Sequence, residues 1–524
     1  MRQRTIKVLA IILTTIILPG ISVAYTSTTT KIDGNSIPTN AEVGVLTGKA
    51  FSDGPVLITR KDITLYDDNP TKIELPVFAA TLGTKGAKMS SITVLDAFGK
   101  ERGRLDTNVE VKSIASIAPS LDAAIRLADA PKDNRYEKLF ETGYYTEVTV
   151  DLTELSLKPG DSQLFTIKAV FDYGEEKLEM SASTLVTIAS LPSRPGWYGG
   201  DGHIHTSWSP DMIEETIAER ATYAANNGFG WIIITDHEDG IENEWPNYVA
   251  QCDTAQSNEG IIVAPGAEIA VLNDKGHTLG YWLSMIANNV PSNQQYSQQD
   301  LIDEINNHNS PYSYTVIAHP YHSKVWGDWT ATGFRAIELM SNQTRASSQT
   351  ISKWFSLLNN GLASAINGQG FVVGIANSDC HFFMAPGEDG FTWAYVPSYS
   401  SSNRSYVWTA IKQGRVSACG NKDLGVFSIN NVAQGSVINA TSSTTLNFKL
   451  IQQPVTGRKC TRITVYENSE TKAIKTITNP TTTETTFSIP APSSDSFYVT
   501  KFEFTNVDGS NLAEVWANPI FVNR

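Results

Sequence analysis

The chain has 524 residues, 41% of them hydrophobic, enough for two to four domains with ordinary buried cores. Its formal net charge is −14, and no Lys/Arg cluster is dense enough to follow a phosphate backbone, so nucleic-acid binding is not expected. The longest apolar stretch lies at the N-terminus, and no membrane span is expected in the body of the chain.

The first residues read as an export signal. Arg2, Arg4 and Lys7 precede an apolar run over residues 8–18, and Ser22, Val23 and Ala24 offer small residues for cleavage after Ala24. Residues 1–24 are thus expected to be a signal peptide, followed by a Thr/Ser-rich leader. The mature protein is expected to be exported: secreted, periplasmic or at the cell surface. From 35 to 192, short alternating segments dominate, among them residues 55–60, 73–78, 146–151 and 164–171. Their threonine and valine content, with Gly, Pro and Asp breaks, predicts an antiparallel β-sandwich. One helix is expected near residues 120–130, and residues 191–196 read as a linker.

The zone from 197 to 425 alternates helix and strand. Ser209 and Pro210 read as the N-cap and first-turn proline of a helix. Its apolar face would carry Met212, Ile213, Thr216, Ile217, Ala221 and Ala224, and Asn226, Asn227 and Gly228 would end it. Apolar strands follow at 231–235, 261–264, 314–318, 336–340 and 371–376. Buried strands separated by helices predict an α/β architecture with a parallel sheet or barrel, whose chemistry sits at the carboxyl ends of the strands. Residues 426–524 return to threonine-rich strands and predict a second β-sandwich. The four cysteines, Cys252, Cys380, Cys419 and Cys460, allow three pairings, or a free Cys380.

The histidines are the informative feature. All 8 lie between His203 and His381. Most sit in five short motifs: Asp201, His203 and His205; Asp236 and His237; Glu268 with His277; His319; and Asp379 with His381. His203 and His205 are two apart on a strand and so share a face. Asp236, Glu268, His319 and Asp379 each follow an apolar strand within a few residues. Neutral imidazole and carboxylate are the usual ligands of zinc, manganese and iron. His308 reads as an exposed helix-end residue. His322 is divided between substrate contact and solvent. Lys324 and Arg415 are candidate anion contacts, Trp326 and Trp329 candidate pocket-mouth residues, and Glu338 a polar group at a strand end.

In order and type, these motifs resemble the polymerase and histidinol phosphatase (PHP) superfamily over about residues 199–420. The resemblance implies a distorted (β/α)7 barrel with two or three divalent metal ions at the strand C-termini, flanked here by the two β-sandwich domains. It implies that His203, His205, Glu268 and Asp379 hold one ion and that Asp211, His237 and His381 hold a second. Glu268 would bridge to a third, completed by His277 and His319. In the family the acid directly follows the serine after the HxH pair; here Pro210 intervenes and moves it to Asp211. The signal peptide, the β domains and the segment 414–418 look most like the secreted, carbaryl-hydrolase-like branch, whose members are not confined to phosphate esters.

On this reading Asp201 and Asp236 orient ligand histidines rather than act as acids. Divalent ions would outweigh the charge of Asp211, Glu268 and Asp379, which favours a small anionic substrate. The implied activity is that of a phosphoesterase using a metal-bridging hydroxide. A carbamate, amide or carboxylic ester hydrolase on the same ions is the alternative, and a non-catalytic cell-surface binding protein is the alternative of another class.

Overall fold

The structure is a computed structural model. It describes residues 54–128, 135–212, 215–271, 275–281, 296–307, 313–321, 325–341, 347–382 and 384–524, with a short strand at Thr30–Lys31. Residues 1–24, His308, His322 and Lys324 lie outside the described residues. No described helix is long and apolar enough to cross a membrane.

The N-terminal region is two packed sheets. Strands Ala87–Asp96, Glu101–Val111, Ser162–Tyr173 and Glu176–Ile188 form most of one, and Pro55–Thr59, Lys72–Thr81 and Tyr144–Asp151 form the other. Ser162–Tyr173 shows why: Phe165, Ile167, Ala169 and Phe171 recur with period two and are all buried, as a one-sided strand requires. Lys72–Thr81 differs, because both of its faces are buried. Leu75, Val77 and Ala79 face the sandwich core. Phe78 and Ala80 face a second core formed with helices Leu121–Ala128 and Tyr136–Thr142.

The central region carries seven strands in chain order: β1 (Trp197–Ile204), β2 (Trp231–Ile234), β3 (Ile262–Ala270), β4 (His277–Tyr281), β5 (Tyr314–Ile317), β6 (Ala336–Met340) and β7 (Val373–Ala376). β1–β2–β3 and β5–β6–β7 are parallel; β4 runs antiparallel to both β3 and β5. The antiparallel β4 departs from strict (β/α)7 alternation within the distorted barrel that was expected. Only residues 271–276 join β3 to β4, too few for the crossover that parallel strands need, so they form a hairpin.

Closure of the seven strands is partial. At one end, Ile204 bridges Cys380, with His205 N–H donating to Cys380 O at 3.3 Å. Along the rest of β1 the edge is taken by an antiparallel eighth strand, β8 (Phe391–Tyr395). Next to it, β9 (Val416–Cys419) pairs with Ala513–Asn523 of the C-terminal region, so one sheet runs from the centre into the final zone without a break at residue 425. The four-stranded sheet containing Leu424–Ile429, Thr445–Gln453 and Glu484–Pro490 packs on that extension. Trp354 and Phe355 meet Trp516 across the junction.

The first central helix begins at Ile217, not at Pro210. Thr216 caps it in a reciprocal box with Glu219. Ser209 fails as a cap because its hydroxyl is used elsewhere. It donates to Asp236 Oδ1 at 2.8 Å and accepts the His237 N–H at 3.0 Å. All four cysteines are buried and unpaired, so the disulfide pairings left open by the sequence are not formed.

Candidate metal centre

The carboxyl ends of the parallel strands gather the histidine motifs. His203 lies on β1 and His205 just beyond it; His237 follows β2; Glu268 lies on β3 and bridges His237; His277 opens β4; His319 follows β5; Asp379 and His381 follow β7. Two of these residues, His319 (φ 24°) and Asp379 (φ 54°), hold left-handed backbone without being glycine. Such strain persists only where the surroundings over-determine it. At His319 one fixing contact is its N–H, which donates to Glu338 Oε2 at 2.8 Å.

The ring orientations are set from behind. His203 Nδ1 donates to Glu338 Oε1 at 3.0 Å, and His205 Nδ1 donates to Ser209 Oγ at 2.9 Å. In the neutral ring each bond places the proton on Nδ1 and leaves Nε2 a lone pair for a cation. The two Nε2 atoms are 3.2 Å apart. They point at Glu268 Oε2, 3.2 and 3.1 Å away, and at Asp379 Oδ1, 3.3 and 3.4 Å away. A tetrahedral ion with bonds of about 2.0–2.1 Å has ligand–ligand edges of about 3.3–3.4 Å. Four electron-pair donors at that spacing are mutually repulsive unless a proton or a cation lies among them.

Two further groups adjoin the first. Asp211 Oδ2 lies 3.1 Å from His237 Nε2 and 3.3 Å from His381 Nε2, and His205 completes that group. The other oxygen, Asp211 Oδ1, is buried with no hydrogen-bond partner, as a cation-directed carboxylate oxygen would be. Glu268 turns its second oxygen to His277 Nδ1 at 2.6 Å and His319 Nε2 at 2.9 Å. All nine residues expected as ligands therefore come together, in three donor groups that share His205 and Glu268. The donor set fits divalent ions.

The electrostatics follow from this crowding. Burial opposes ionisation of Glu268, yet His277, His203 and His237 overcome it and hold the carboxyl well below its usual range. Burial likewise opposes the Asp211 carboxylate, and His237 and His381 override it. Burial disfavours charge on His203, but Asp379, Glu268 and Glu338 raise its pKa well above the ordinary value. Burial lowers and Asp211 raises His381, with a net rise to about 9.

Asp201 and Asp236 act on the main chain and on hydroxyls rather than on imidazole rings. Asp201 accepts from His203 N–H at 3.1 Å, Ser378 N–H at 3.0 Å and Gly387 N–H at 2.7 Å. Asp236 accepts from Thr206 and Ser209, and reaches His205 only through Ser209. Arg415 is not near the centre. It precedes β9, whose register sets it beside Tyr395 and hence Trp197, the far end of β1. Six residues of strand, about 20 Å, separate that end from His203, and Arg415 is withdrawn as a substrate contact. Trp326 is buried, with its backbone against Gly276 beside His277, and Trp329 stacks on Tyr321.

Glu338 and Arg220 are the residues that sequence reasoning missed or left open. Glu338 is fully buried and accepts from His203, His319 and Asn377. Arg220 is buried on the first central helix and donates to the carbonyls of His205 and His381, 3.2 Å each. Each stood as a charge on an otherwise apolar stripe, and that was the available signal.

No family model matches the chain, and no curated protein matches it. Among solved structures it is similar to a two-domain protein containing a predicted PHP-like metal-dependent phosphoesterase from Bacteroides vulgatus. That match has 14% identity over 61% of this chain and 94% of the other, with a TM-score of 0.35. It is also similar to an FMN-binding beta-glucuronidase from Faecalibacterium prausnitzii, with 10% identity over 90% and 74% of the two chains and a TM-score of 0.20. With TM-scores this low, the functional reading rests on the site's own residues.

Proposed function

We propose that the chain is an exported metal-dependent hydrolase of the PHP type, acting on a phosphoester. The observation that carries the proposal is the pair of tautomer-locked imidazoles, His203 and His205, facing two carboxylate oxygens at the edge lengths of a metal polyhedron. His203, His205, Glu268 and Asp379 would hold one ion, Asp211, His237 and His381 with His205 a second, and Glu268, His277 and His319 a third. Divalent ions in these positions supply an activated water at neutral pH and neutralise charge on the transferred group.

The chain's own residues set the rest. Glu268 is divided between two groups, so it fixes their separation. Glu338 and Ser209 keep the Nε2 atoms bare. Asp211 and His237, with side chains 22% and 21% exposed, form the most open edge of the cluster and the side from which a substrate enters. Three carboxylates among up to three divalent ions leave a positive surplus, which suits phosphate better than a neutral ester. Export is proposed from residues 1–24, and the carbaryl-hydrolase-like branch from the β domains on both flanks.

The test is a panel of aryl phosphates, phosphodiesters, aryl esters and carbamates assayed with zinc- and manganese-loaded mature protein. Turnover of phosphoesters alone is expected. Turnover of carbamates or esters alone moves the bond assignment and keeps the centre. A protein that neither contains nor takes up metal overturns the enzyme reading and leaves a binding role for the β domains.

A further inference from the structure

Two residues of the donor set are each followed by a side chain that enters the N-terminal domain. Met212, after Asp211, and Phe382, after His381, are 3% and 1% exposed within the core on the outer face of the three-stranded sheet. Phe382 stacks on Phe140, with ring centroids 5.1 Å apart and planes at 11°, and meets Tyr145 edge-on at 5.9 Å. A second tie is polar. Arg220 Nε donates to His205 O and Nη2 to His381 O, while Nη1 donates to Met384 O at 2.8 Å. The same guanidinium pairs with Glu215, whose Oε1 accepts the Tyr145 hydroxyl at 2.9 Å. Tyr145 belongs to the N-terminal strand Tyr144–Asp151. The N-terminal domain thus grips Glu215, Glu215 holds Arg220, and Arg220 holds the main chain of two donor residues. The two ties meet in one donor group, that of His205, Asp211, His237 and His381; of the residues they hold, only His205 is shared with a second group.

We propose that the N-terminal sandwich is a positioning element for this one cation position, with Arg220, Tyr145 and Phe140 as positioning residues. The inference rests on the metal-centre reading above. The apolar tie fixes where the chain stands after Asp211 and His381. The polar tie fixes the carbonyls of His205 and His381, and so the directions in which their imidazoles leave the backbone. Ligand geometry tolerates only about 0.5 Å of drift, and losing an outer contact typically weakens a metal 10–100-fold.

The experiment uses the full mature chain, stripped of metal and titrated with zinc by calorimetry, with elemental analysis after gel filtration. Arg220→Gln is expected to lose one zinc equivalent, or to weaken one class of sites at least tenfold. Tyr145→Phe and Phe140→Leu, which leave every donor in place, are expected to weaken the same class. Ile167→Ala, in the core of the opposite sheet, is expected to lower the melting temperature yet bind zinc like wild type. The inference fails if Tyr145→Phe and Phe140→Leu bind zinc like wild type, or if Ile167→Ala weakens the same class equally. Because these variants decide the matter, a poorly folding Arg220→Gln leaves the test intact. A wild-type chain that takes up no zinc sinks the metal-centre reading itself, a result distinct from full zinc binding by every variant.

Discussion

Glu338→Gln isolates a single proton position in the candidate centre. The carboxylate is an acceptor at both oxygens. Oε1 receives His203 Nδ1–H and Asn377 Nδ2–H at 3.0 and 2.8 Å, and Oε2 receives His319 N–H at 2.8 Å. Glutamine has the same shape but must place an NH2 on one side. If it faces His319, two N–H groups oppose each other beside a strained residue. If it faces His203, the imidazole must shift its proton to Nε2, the atom that points at Glu268 and Asp379. Either outcome damages the first donor group. Outer contacts of this kind are worth about 10–100-fold in metal affinity, or about 1.4–2.7 kcal/mol. The assay is competition of zinc against a chelator of known affinity, with circular dichroism as the control for folding. A folded Glu338→Gln protein that binds its tightest zinc as well as wild type refutes the argument that the Nδ1 partner sets the ligand tautomer.

The paired change His203→Ala with His205→Ala should cost metal at two positions, because His205 belongs to two donor groups; unchanged metal content by elemental analysis would contradict the assignment. Gly390→Ala would set a Cβ 1.8 Å from Asn377 O, displacing the residue that braces Glu338. A loss of about 1–3 kcal/mol in urea unfolding is expected, and a neutral substitution would mean that this approach is looser than the geometry shows. Burial and the neighbouring Glu215 raise Glu147 to a pKa of about 8, against about 4.3 in an unfolded chain. Over that window the native protein keeps a proton that the unfolded chain has released, so stability falls as pH rises from about 4.3 to about 8. Glu147→Gln should therefore raise the melting temperature relative to wild type by more at pH 8.5 than at pH 5, and a pH-independent difference would reject the linkage.

The parts of the molecule that were legible in sequence are those whose geometry is settled within a few residues. An HxH pair on a strand faces one way whatever surrounds it, and an apolar run followed by Asp or His marks a strand end wherever that strand is placed. The misreadings share the opposite property. Ser209 and Pro210 are a sound local helix start, yet the Ser209 hydroxyl is taken by Asp236, 27 residues away, and Thr216 with Glu219 supplies an equally sound start further on. Glu338 is 135 residues from the histidine it orients. Arg415 lies within a motif-like segment, but the antiparallel pairing of β8 and β9 sets it at the wrong end of the sheet.

One segment did carry long-range information. Lys72–Thr81 ends in an unbroken run of buried residues, where the solvent face of a sandwich should show period two. Such a run states that the strand has no solvent face. One side is the sandwich core, and the other is the core that receives Phe140, Met212 and Phe382. The helices Leu121–Ala128 and Tyr136–Thr142 share in covering that second face, but they do not complete it. Two side chains from the central region do, and each is adjacent in sequence to a residue of the donor cluster. A sheet that hides both faces, in a domain that one sandwich core alone would leave half exposed, is therefore the sequence trace of a domain held against the centre rather than tethered beside it.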